Sequence, residues 1–204
     1  MNHPTIQSMG STFKFIQVGA NDGITGPDPL RKYILSMNWT GILIEPQPAI
    51  FEILKKNYSG SRNLIFENVG ISDAEQTLTL YVPSGDSTTA SFNKEVIQDQ
   101  SALIGVNVPC ISLKGVIEKY DFQQIDLLQI DTEGFEWPVL NSLEISKHKP
   151  NIIQFEHGHM SRNEINRTIE MLTDEGYLIY FGGKQHQDSL AILKKFAVSL
   201  NLIY

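Results

Sequence analysis

The chain alternates between short apolar runs and longer segments in which apolar residues recur every three or four positions. The short runs have the length and the β-branched or aromatic content of strands. They predict strands at residues 13–18, 41–45, 64–69, 77–82, 126–130, 151–156, 177–181 and 189–193. The longer segments are typical of amphipathic helices. They predict helices at residues 29–38, 48–58, 112–120, 137–143 and 162–175.

Strands that alternate with helices favour an α/β fold, in which a parallel sheet is covered by helices on both faces. The run at residues 41–45 is apolar on both faces, as expected of a strand inside such a sheet. Residues 83–108 break the rhythm with a polar, turn-rich stretch, and they predict a long excursion over one end of the sheet. We expect a single domain at residues 13–204, preceded by a polar segment at residues 1–12.

Composition narrows the class of partner. Lysine and arginine total 16 against 23 acidic residues, which gives a formal net charge of −7 and argues against nucleic acid as a partner. Cys110 is the only cysteine, so an intrachain disulfide is excluded, and this fits a reducing cytosol. Because no apolar run reaches about 18 residues, we expect no membrane span and predict a cytoplasmic protein. The apolar tail at residues 196–204 either docks on its own sheet or forms a homo-oligomer contact.

Ligands of parallel sheets bind beyond the carboxyl ends of the strands, so the residues after each strand are candidates for the site. The turn after the first strand contains Gly19, Ala20, Asn21 and Gly23. Its spacing is not GxGxxG, because Asn21 and Ile24 occupy the second and third glycine positions, and this argues against a dinucleotide. A tight strand-to-helix turn explains the glycines equally well.

Glu45 ends the second predicted strand and is followed by Pro46. A carboxylate at this position can accept hydrogen bonds from both hydroxyls of a ribose, although a solvated glutamate is the alternative. A ribose partner beside a turn without the pyrophosphate fingerprint indicates a nucleoside cofactor that lacks pyrophosphate. S-adenosylmethionine fits this description.

Several segments carry a resemblance to a known family, and the most specific is the IDxEGxE motif at residues 130–136. The others, in chain order, are FIQVGANDG, GILIEPQP, FENVGISD and the strand that ends in Phe155 and Glu156. The set resembles the FkbM-type family of S-adenosylmethionine-dependent methyltransferases over roughly residues 13–194. The resemblance implies a Rossmann-like class I methyltransferase fold with a mostly parallel seven-stranded sheet. It also implies O-methylation of a saccharide or another small-molecule acceptor such as a secondary metabolite.

Carried over position by position, the resemblance implies a set of cofactor-binding residues: Gly19, Ala20, Asn21, Gly23, Glu45, Ser72, Asp73 and Asp131. In this set Ser72 and Asp73 contact adenine, and Asp131 lies near the transferring methyl. Many family members have aspartate where this chain has Gln17, which puts in question a carboxylate contact to the cofactor ammonium.

Carboxylates and imidazoles follow two neighbouring strands: Asp131, Glu133, Glu136, Glu156, His157 and His159. Methylation of an alcohol needs in-line positioning and a base. The predicted catalytic residues are Asp131, Glu156, His157 and His159, with the two histidines as candidate bases. Solvated histidines and a structurally paired Glu156 are the alternatives.

Three of these side chains, Asp131, Glu156 and His159, can also chelate a divalent ion, but their spacing is not a metal motif and no metal is assigned. Glu136 favours a structural role at the start of the next helix.

In the polar excursion, Ser87, Thr88 and Thr89 are candidates for the acceptor pocket, and His186 is expected to be solvated. Two other functions remain open: an NAD-dependent sugar oxidoreductase or epimerase, and a non-catalytic cofactor-binding scaffold. The missing GxGxxG argues against the first, and the gathered carboxylates and histidines argue against the second.

Overall fold

The computed structural model describes residues 1–25, 28–86, 88–182 and 187–203. Its main sheet contains β1 (Lys14–Val18), β2 (Thr40–Ile44), β3 (Leu64–Glu67), β7 (Leu127–Ile130), β8 (Ile152–Glu156), β9 (Tyr177–Gly182) and β10 (Asp188–Leu193). A smaller sheet contains β4 (Gly70–Ile71), β5 (Gln76–Pro83) and β6 (Leu103–Ile111). The α-helices are α1 (Pro4–Met9), α2 (Arg31–Met37), α3 (Pro48–Asn57), α4 (Leu113–Lys119), α5 (Glu136–Asn141), α6 (Arg162–Asp174) and α7 (Lys194–Ser199).

The main sheet has the strand order β3-β2-β1-β7-β8-β10-β9. β1 pairs in parallel with β2 on one side and with β7 on the other, whereas β10 is antiparallel to β8 and to β9. This confirms the predicted mostly parallel seven-stranded sheet. The chain first builds outward from β1 to β3 and then returns to the other side of β1. The resulting switch point places a crevice at the carboxyl ends of β1 and β7.

The strands bury both faces because their side chains alternate between two core clusters. Ile16, Ile44 and Leu128 belong to the cluster that also contains buried residues of α4, α5 and α6. Phe15 and Leu43 belong to the other cluster, which contains buried residues of α1, α2 and α3. The predicted helices on both faces of the sheet are therefore confirmed.

The N-terminal segment, predicted only as polar, contains α1. His3 caps this helix, its side chain accepting a hydrogen bond from the Thr5 amide, and Ile6 is buried in the second core cluster. The helix is six residues long and buries a single residue, too little for a periodic hydrophobic signal. It packs on the domain rather than extending away from it.

The predicted excursion at residues 83–108 is partly regular. Its last part belongs to β6, which pairs with β5 in antiparallel register from Gln76↔Cys110 to Pro83↔Leu103. The strand was missed because most of its side chains are exposed or half-buried, so that it carries no continuous apolar run. The connection between β5 and β6, here called the irregular loop, is therefore shorter than predicted. Its described residues are 84–86 and 88–102, and they include one 3-10 turn at Lys94–Val96.

The apolar tail folds back as α7, with Ala197 and Leu200 buried and Phe196 packed against both core clusters. Val198 and Leu202 stay about half exposed, at 50% and 51%. The tail thus docks on its own domain, and its predicted role in an oligomer stays a prediction. None of the helices in the described ranges combines the length and the hydrophobicity needed to cross a membrane.

Candidate active site

The turn after β1 is fixed by close backbone contacts. Gly19 has φ 80°, and a Cβ atom there would lie 1.7 Å from the carbonyl oxygen of Asp131. Gly23 has φ 71°, and a Cβ atom there would lie 2.4 Å from the ring of Tyr58. Both positions therefore require glycine for steric reasons. The same contacts bring the turn against the end of β7.

Glu45 links the turns after β1 and β2. Its Oε2 accepts a hydrogen bond from the Asn21 amide at 2.9 Å, and its Oε1 accepts one from the Gln47 amide at 2.9 Å. The side chain is only 2% exposed, and burial raises the pKa of Glu45 to about 7. A buried carboxylate therefore stands between two backbone turns at the edge of the crevice.

The crevice holds a cavity of about 450 Å³ at the carboxyl ends of β1, β2 and β7. Five residues of the predicted cofactor set line it together: Gly19, Ala20, Asn21, Glu45 and Asp131. Gly23, Ser72 and Asp73 are not among the lining residues. The Ser72 hydroxyl is buried and contacts Asp73 Oδ1 at 3.2 Å and Gln76 Nε2 at 2.8 Å, while Asp73 is exposed.

Several lining residues were missed from the sequence. Val69, Ile71, Leu80 and Phe92 give the cavity an apolar wall. Alternation along β5 marks Leu80 as inward-facing, and Ile71 lies in an apolar segment, so both carried a signal. Phe92 lies in the irregular loop and carried none.

Gln17 lines the cavity and is 3% exposed. Its Nε2 donates to Asp28 Oδ1 at 3.4 Å, and its Oε1 is buried without a hydrogen-bond partner in the described part of the chain. Asp28 also accepts from the amides of Leu30 and Arg31 at the start of α2. The amide of Gln17 thus presents an unused acceptor beside the cavity.

Asp131 and Glu136, two of the three acidic residues that follow β7, have different roles. Asp131 faces the cavity, where desolvation and then the charge of Glu136 raise its pKa to about 6. Glu136 is buried and accepts hydrogen bonds from the Thr132 amide at 3.0 Å, the Thr132 hydroxyl at 2.9 Å and the Gly134 amide at 3.1 Å. Glu136 lies in the first turn of α5, as predicted, but its hydrogen bonds tie together the loop that precedes the helix instead of capping the helix.

Glu133, Glu156 and His159 form a cluster at this end of the site. His159 Nε2 lies 3.5 Å from Glu133 Oε2, and one donor atom from each of the three side chains lies within 4.8 Å of the others. Desolvation, together with the charge of Asp131, raises the pKa of Glu133 to about 8 and that of Glu156 to about 7. The structure thus groups Glu133, rather than Asp131, with Glu156 and His159.

His157 points away from this cluster. Its Nδ1 lies 2.8 Å from Ser189 Oγ, and its ring meets Phe181 edge to face at 5.3 Å between centroids. Successive side chains of an extended segment point to opposite sides, which separates His157 from Glu156. His157, like Glu156 and His159, is not among the cavity-lining residues, whereas Glu133 and Asp131 are. The catalytic roles of His157, Glu156 and His159 stay predictions.

The irregular loop packs on the segment that carries Glu133. The buried Ser91 hydroxyl donates to the Glu133 carbonyl oxygen at 2.6 Å, and the rings of Phe92 and Phe135 lie 5.2 Å apart. Glu133 itself has φ 52°, a left-handed conformation that costs a non-glycine residue energy and needs such support.

Of the three residues predicted for the acceptor pocket, Thr88 lines the cavity. Thr89 Oγ1 bonds Asp86 Oδ2 at 3.3 Å instead. Ser87 and the predicted solvated His186 lie outside the described residues.

Together, the fold and the cavity define the class of protein. A seven-stranded sheet with its antiparallel strand next to one edge, and a ligand cavity at the carboxyl ends of β1, β2 and β7, is the architecture of class I methyltransferases. Residues 17–179 match the family described as the Methyltransferase FkbM domain, and the chain belongs to this family. The resemblance predicted from the sequence motifs is confirmed.

Solved structures show the same fold. Methyltransferase FkbM from Methylobacillus flagellatus KT aligns with a TM-score of 0.59 and 17% identity, covering 88% of this chain and 43% of that one. The METTL16 MTase domain aligns with a TM-score of 0.51 and 13% identity, covering 92% of this chain and 62% of that one. The chain thus spans less than half the length of the FkbM protein it resembles. No curated protein matches the chain significantly in sequence.

Proposed function

We propose that the protein transfers a methyl group from S-adenosylmethionine to a hydroxyl of a saccharide or secondary metabolite. The observation that carries the proposal is the cavity between the Gly19 turn, Glu45 and Asp131 at the switch point of the sheet. Its volume of about 450 Å³ suits a small-molecule ligand. Membership of a methyltransferase family favours this reaction over the dinucleotide-dependent and scaffold alternatives.

The residues around the cavity fit the parts of this cofactor. The Glu45 carboxylate accepts the Asn21 and Gln47 amides and a further hydrogen bond from the Gln47 side chain. A carboxylate has about four acceptor positions, so it keeps one for a ribose hydroxyl. Gln17 offers its unused amide oxygen to the methionine ammonium, a neutral acceptor in place of a carboxylate. Val69 and Ile71 supply apolar surface for adenine.

S-adenosylmethionine supplies an electrophilic methyl group on a sulfonium, so the protein has to align the acceptor and remove its proton. Asp131 faces the cavity, and Glu156 and His159 gather at the same end of the sheet. In this proposal the acceptor oxygen lies between these groups and the methyl. Its proton goes to Asp131 or to His159, and His157 is retained as the alternative base.

Calorimetric titration with S-adenosylhomocysteine tests the cofactor assignment. We expect saturable binding that Glu45→Gln weakens at least about tenfold, because the substitution replaces one acceptor oxygen with an amide donor. Glu75→Gln, which removes an exposed carboxylate away from the cavity, is the matched control and is expected to bind like the parent. Absence of binding by the folded parent would overturn the proposal.

Turnover is tested with a panel of hydroxylated acceptors and S-adenosylmethionine carrying a labelled methyl group. Transfer of the label to oxygen, lost in an Asp131→Asn variant that still binds S-adenosylhomocysteine, supports the assignment of Asp131. Label found only on nitrogen would exclude O-methylation. The single domain at residues 13–204, with α1 packed on it, and the cytoplasmic location remain predictions.

A further inference from the structure

We propose that Glu133, Glu156 and His159 bind a divalent metal ion at the acceptor end of the cavity. The three side chains come from the loop after β7, the end of β8 and the turn that follows β8. They supply two carboxylate oxygens and one imidazole nitrogen, all within 4.8 Å of one another. A mixed donor set of this kind is a metal-ligand constellation and not only a group of acidic residues.

The distances are close to those of a bound ion. Metal ions of the first transition row lie about 2.1 Å from nitrogen and oxygen ligands, so donors on opposite sides of an ion are about 4.2 Å apart. Neighbouring donors on one ion are about 3.0–3.4 Å apart, and the 3.5 Å between His159 Nε2 and Glu133 Oε2 is close to this spacing. The remaining donor pairs, within 4.8 Å, reach it with shifts of roughly 1–2 Å, which rotation of the carboxylate side chains can supply. The Glu133 backbone is already held by the Ser91 hydroxyl, 2.6 Å from the Glu133 carbonyl oxygen.

Further acidic residues surround the cluster, and their negative charge favours a bound cation. Asp131 and Asp188 lie near enough to affect the cluster carboxylates electrostatically, and Asp188 is the cross-strand neighbour of Glu156. Among the described residues, the lysine ion pairs are formed with carboxylates outside the cluster, and the close contact within it is that of His159 Nε2 with Glu133 Oε2. Half-buried carboxylates without a balancing cation are costly, and a divalent ion would neutralise them.

The donor types indicate which ion fits. Mg²⁺ and Ca²⁺ prefer oxygen ligands alone, whereas imidazole with carboxylates suits Mn²⁺, Fe²⁺ and Zn²⁺. Three protein donors leave coordination positions open for water and for a substrate oxygen. We therefore assign the site to a first-row transition metal and choose Mn²⁺ as the probe.

The role of this ion rests on the proposed methyl transfer. An ion beside the cavity lowers the pKa of a coordinated acceptor hydroxyl, so a nearby carboxylate suffices as the base. The O–H proton then goes to Asp131, the oxygen forms a bond to the methyl carbon, and the methyl–sulfur bond breaks to give S-adenosylhomocysteine. In this scheme His159 is a metal ligand rather than the base.

Titration of the chelator-treated protein with Mn²⁺ alone tests the site without any methyl transfer. We expect one saturable site, with affinity at least about tenfold weaker in Glu133→Gln and in His159→Gln. His3→Gln and Glu75→Gln are the imidazole and carboxylate controls away from the cluster and should bind within about twofold of the parent. Absence of saturable binding, or equal losses in the controls, would overturn the proposal.

A second measurement needs no substitution, in case a variant fails to fold. Mn²⁺ is paramagnetic, so a site at His159 broadens the NMR signals of that ring at substoichiometric metal. His148 precedes β8, at the opposite end of the strand, and its signals should stay sharp. Equal broadening of both rings would contradict the site.

The same samples separate the two proposals. Mn²⁺ binding without S-adenosylhomocysteine binding would leave the metal site standing and refute the methyltransferase assignment. S-adenosylhomocysteine binding without any binding of Mn²⁺ would support the cofactor assignment and refute the metal site.

Discussion

The two ends of the cavity are built in different ways. The end proposed for the cofactor lies at Glu45 and the turn after β1. There, Glu45 is 2% exposed and both of its oxygens accept hydrogen bonds from backbone amides, so that the turns after β1 and β2 hold each other in place. The end proposed for the acceptor lies at Glu133, Glu156 and His159. There, the two half-buried glutamates repel each other, and His159 Nε2 lies 3.5 Å from Glu133 Oε2. The end proposed for the cofactor is therefore preorganised by backbone contacts, whereas at the end proposed for the acceptor burial and neighbouring carboxylates raise the pKa of Glu133 and Glu156.

The largest expected effect is on stability and comes from a substitution in the turn after β1. In Gly19→Ala the new methyl group would lie 1.7 Å from the Asp131 carbonyl oxygen, with φ at 80°. We expect a loss of more than about 3 kcal/mol in the free energy of unfolding, measured by urea titration.

Two glycines separate the causes of that loss. Gly176 has φ 87° with no atom within 4 Å of its Cβ position, so Gly176→Ala should cost about 1 kcal/mol from backbone strain alone. Gly60 is open and has no positive φ, so Gly60→Ala should be close to neutral. If Gly19→Ala costs no more than Gly176→Ala, the tight contact between the β1 turn and Asp131 is wrong.

The contrast between the two ends also explains what the sequence could predict. Gly19, Glu45 and Asp131 each follow a strand that is buried on both faces, and the strands are visible as apolar runs. Once the runs are ordered into a parallel sheet, the residues after them must share one edge. The cofactor end and the main sheet were predictable for this reason.

The acceptor end was less predictable because it depends on loop geometry. Glu133 adopts φ 52°, and its position is set by Ser91 from a distant loop, neither of which leaves a local pattern. His157 and His159 are equivalent in sequence, yet the chain turns after β8, where the Met160 amide donates to the His157 carbonyl, and it is His157 that lies beside Ser189. The helix α1 and the strand β6 were also missed, because tertiary contacts and not a local sequence pattern stabilise them.

The pH dependence of the free energy of unfolding tests whether the Glu45 carboxyl group is desolvated by burial. Its pKa is raised to about 7 in the folded protein from 4.5, so the folded state binds the proton more tightly than the unfolded chain. Its contribution to the free energy of unfolding therefore falls as pH rises from 4.5 to about 7, by up to about 3 kcal/mol.

Urea unfolding of the parent and of Glu45→Gln at pH 5 and pH 7.5 measures this contribution. Glu45→Gln has no titrating group at this position, so its stability should fall less between the two pH values. Parallel curves for the two proteins would show that Glu45 is not desolvated as described.

A smaller effect is expected where the irregular loop supports the acceptor end. Ser91→Ala removes the hydroxyl that donates to the Glu133 carbonyl and should cost about 1–2 kcal/mol in the free energy of unfolding. It should also weaken Mn²⁺ binding severalfold while S-adenosylhomocysteine binding is unchanged. Ser36→Ala, which removes an exposed helical hydroxyl, should cost less than about 0.5 kcal/mol. Equal loss of both ligands in Ser91→Ala would mean that the two ends are not independent.

The smallest effect decides where the adenine lies. The apolar wall at Val69 faces the cavity, whereas Asp73 is exposed and outside the lining. Val69→Ala should weaken S-adenosylhomocysteine binding by about 1 kcal/mol, since it removes two methylene equivalents from a side chain that is only partly buried. Asp73→Asn should change the affinity less than about twofold, because it alters an exposed carboxylate. Calorimetry on both variants gives the answer: a larger loss in Asp73→Asn would move the adenine to the edge that the family resemblance implies, outside the apolar wall of the cavity.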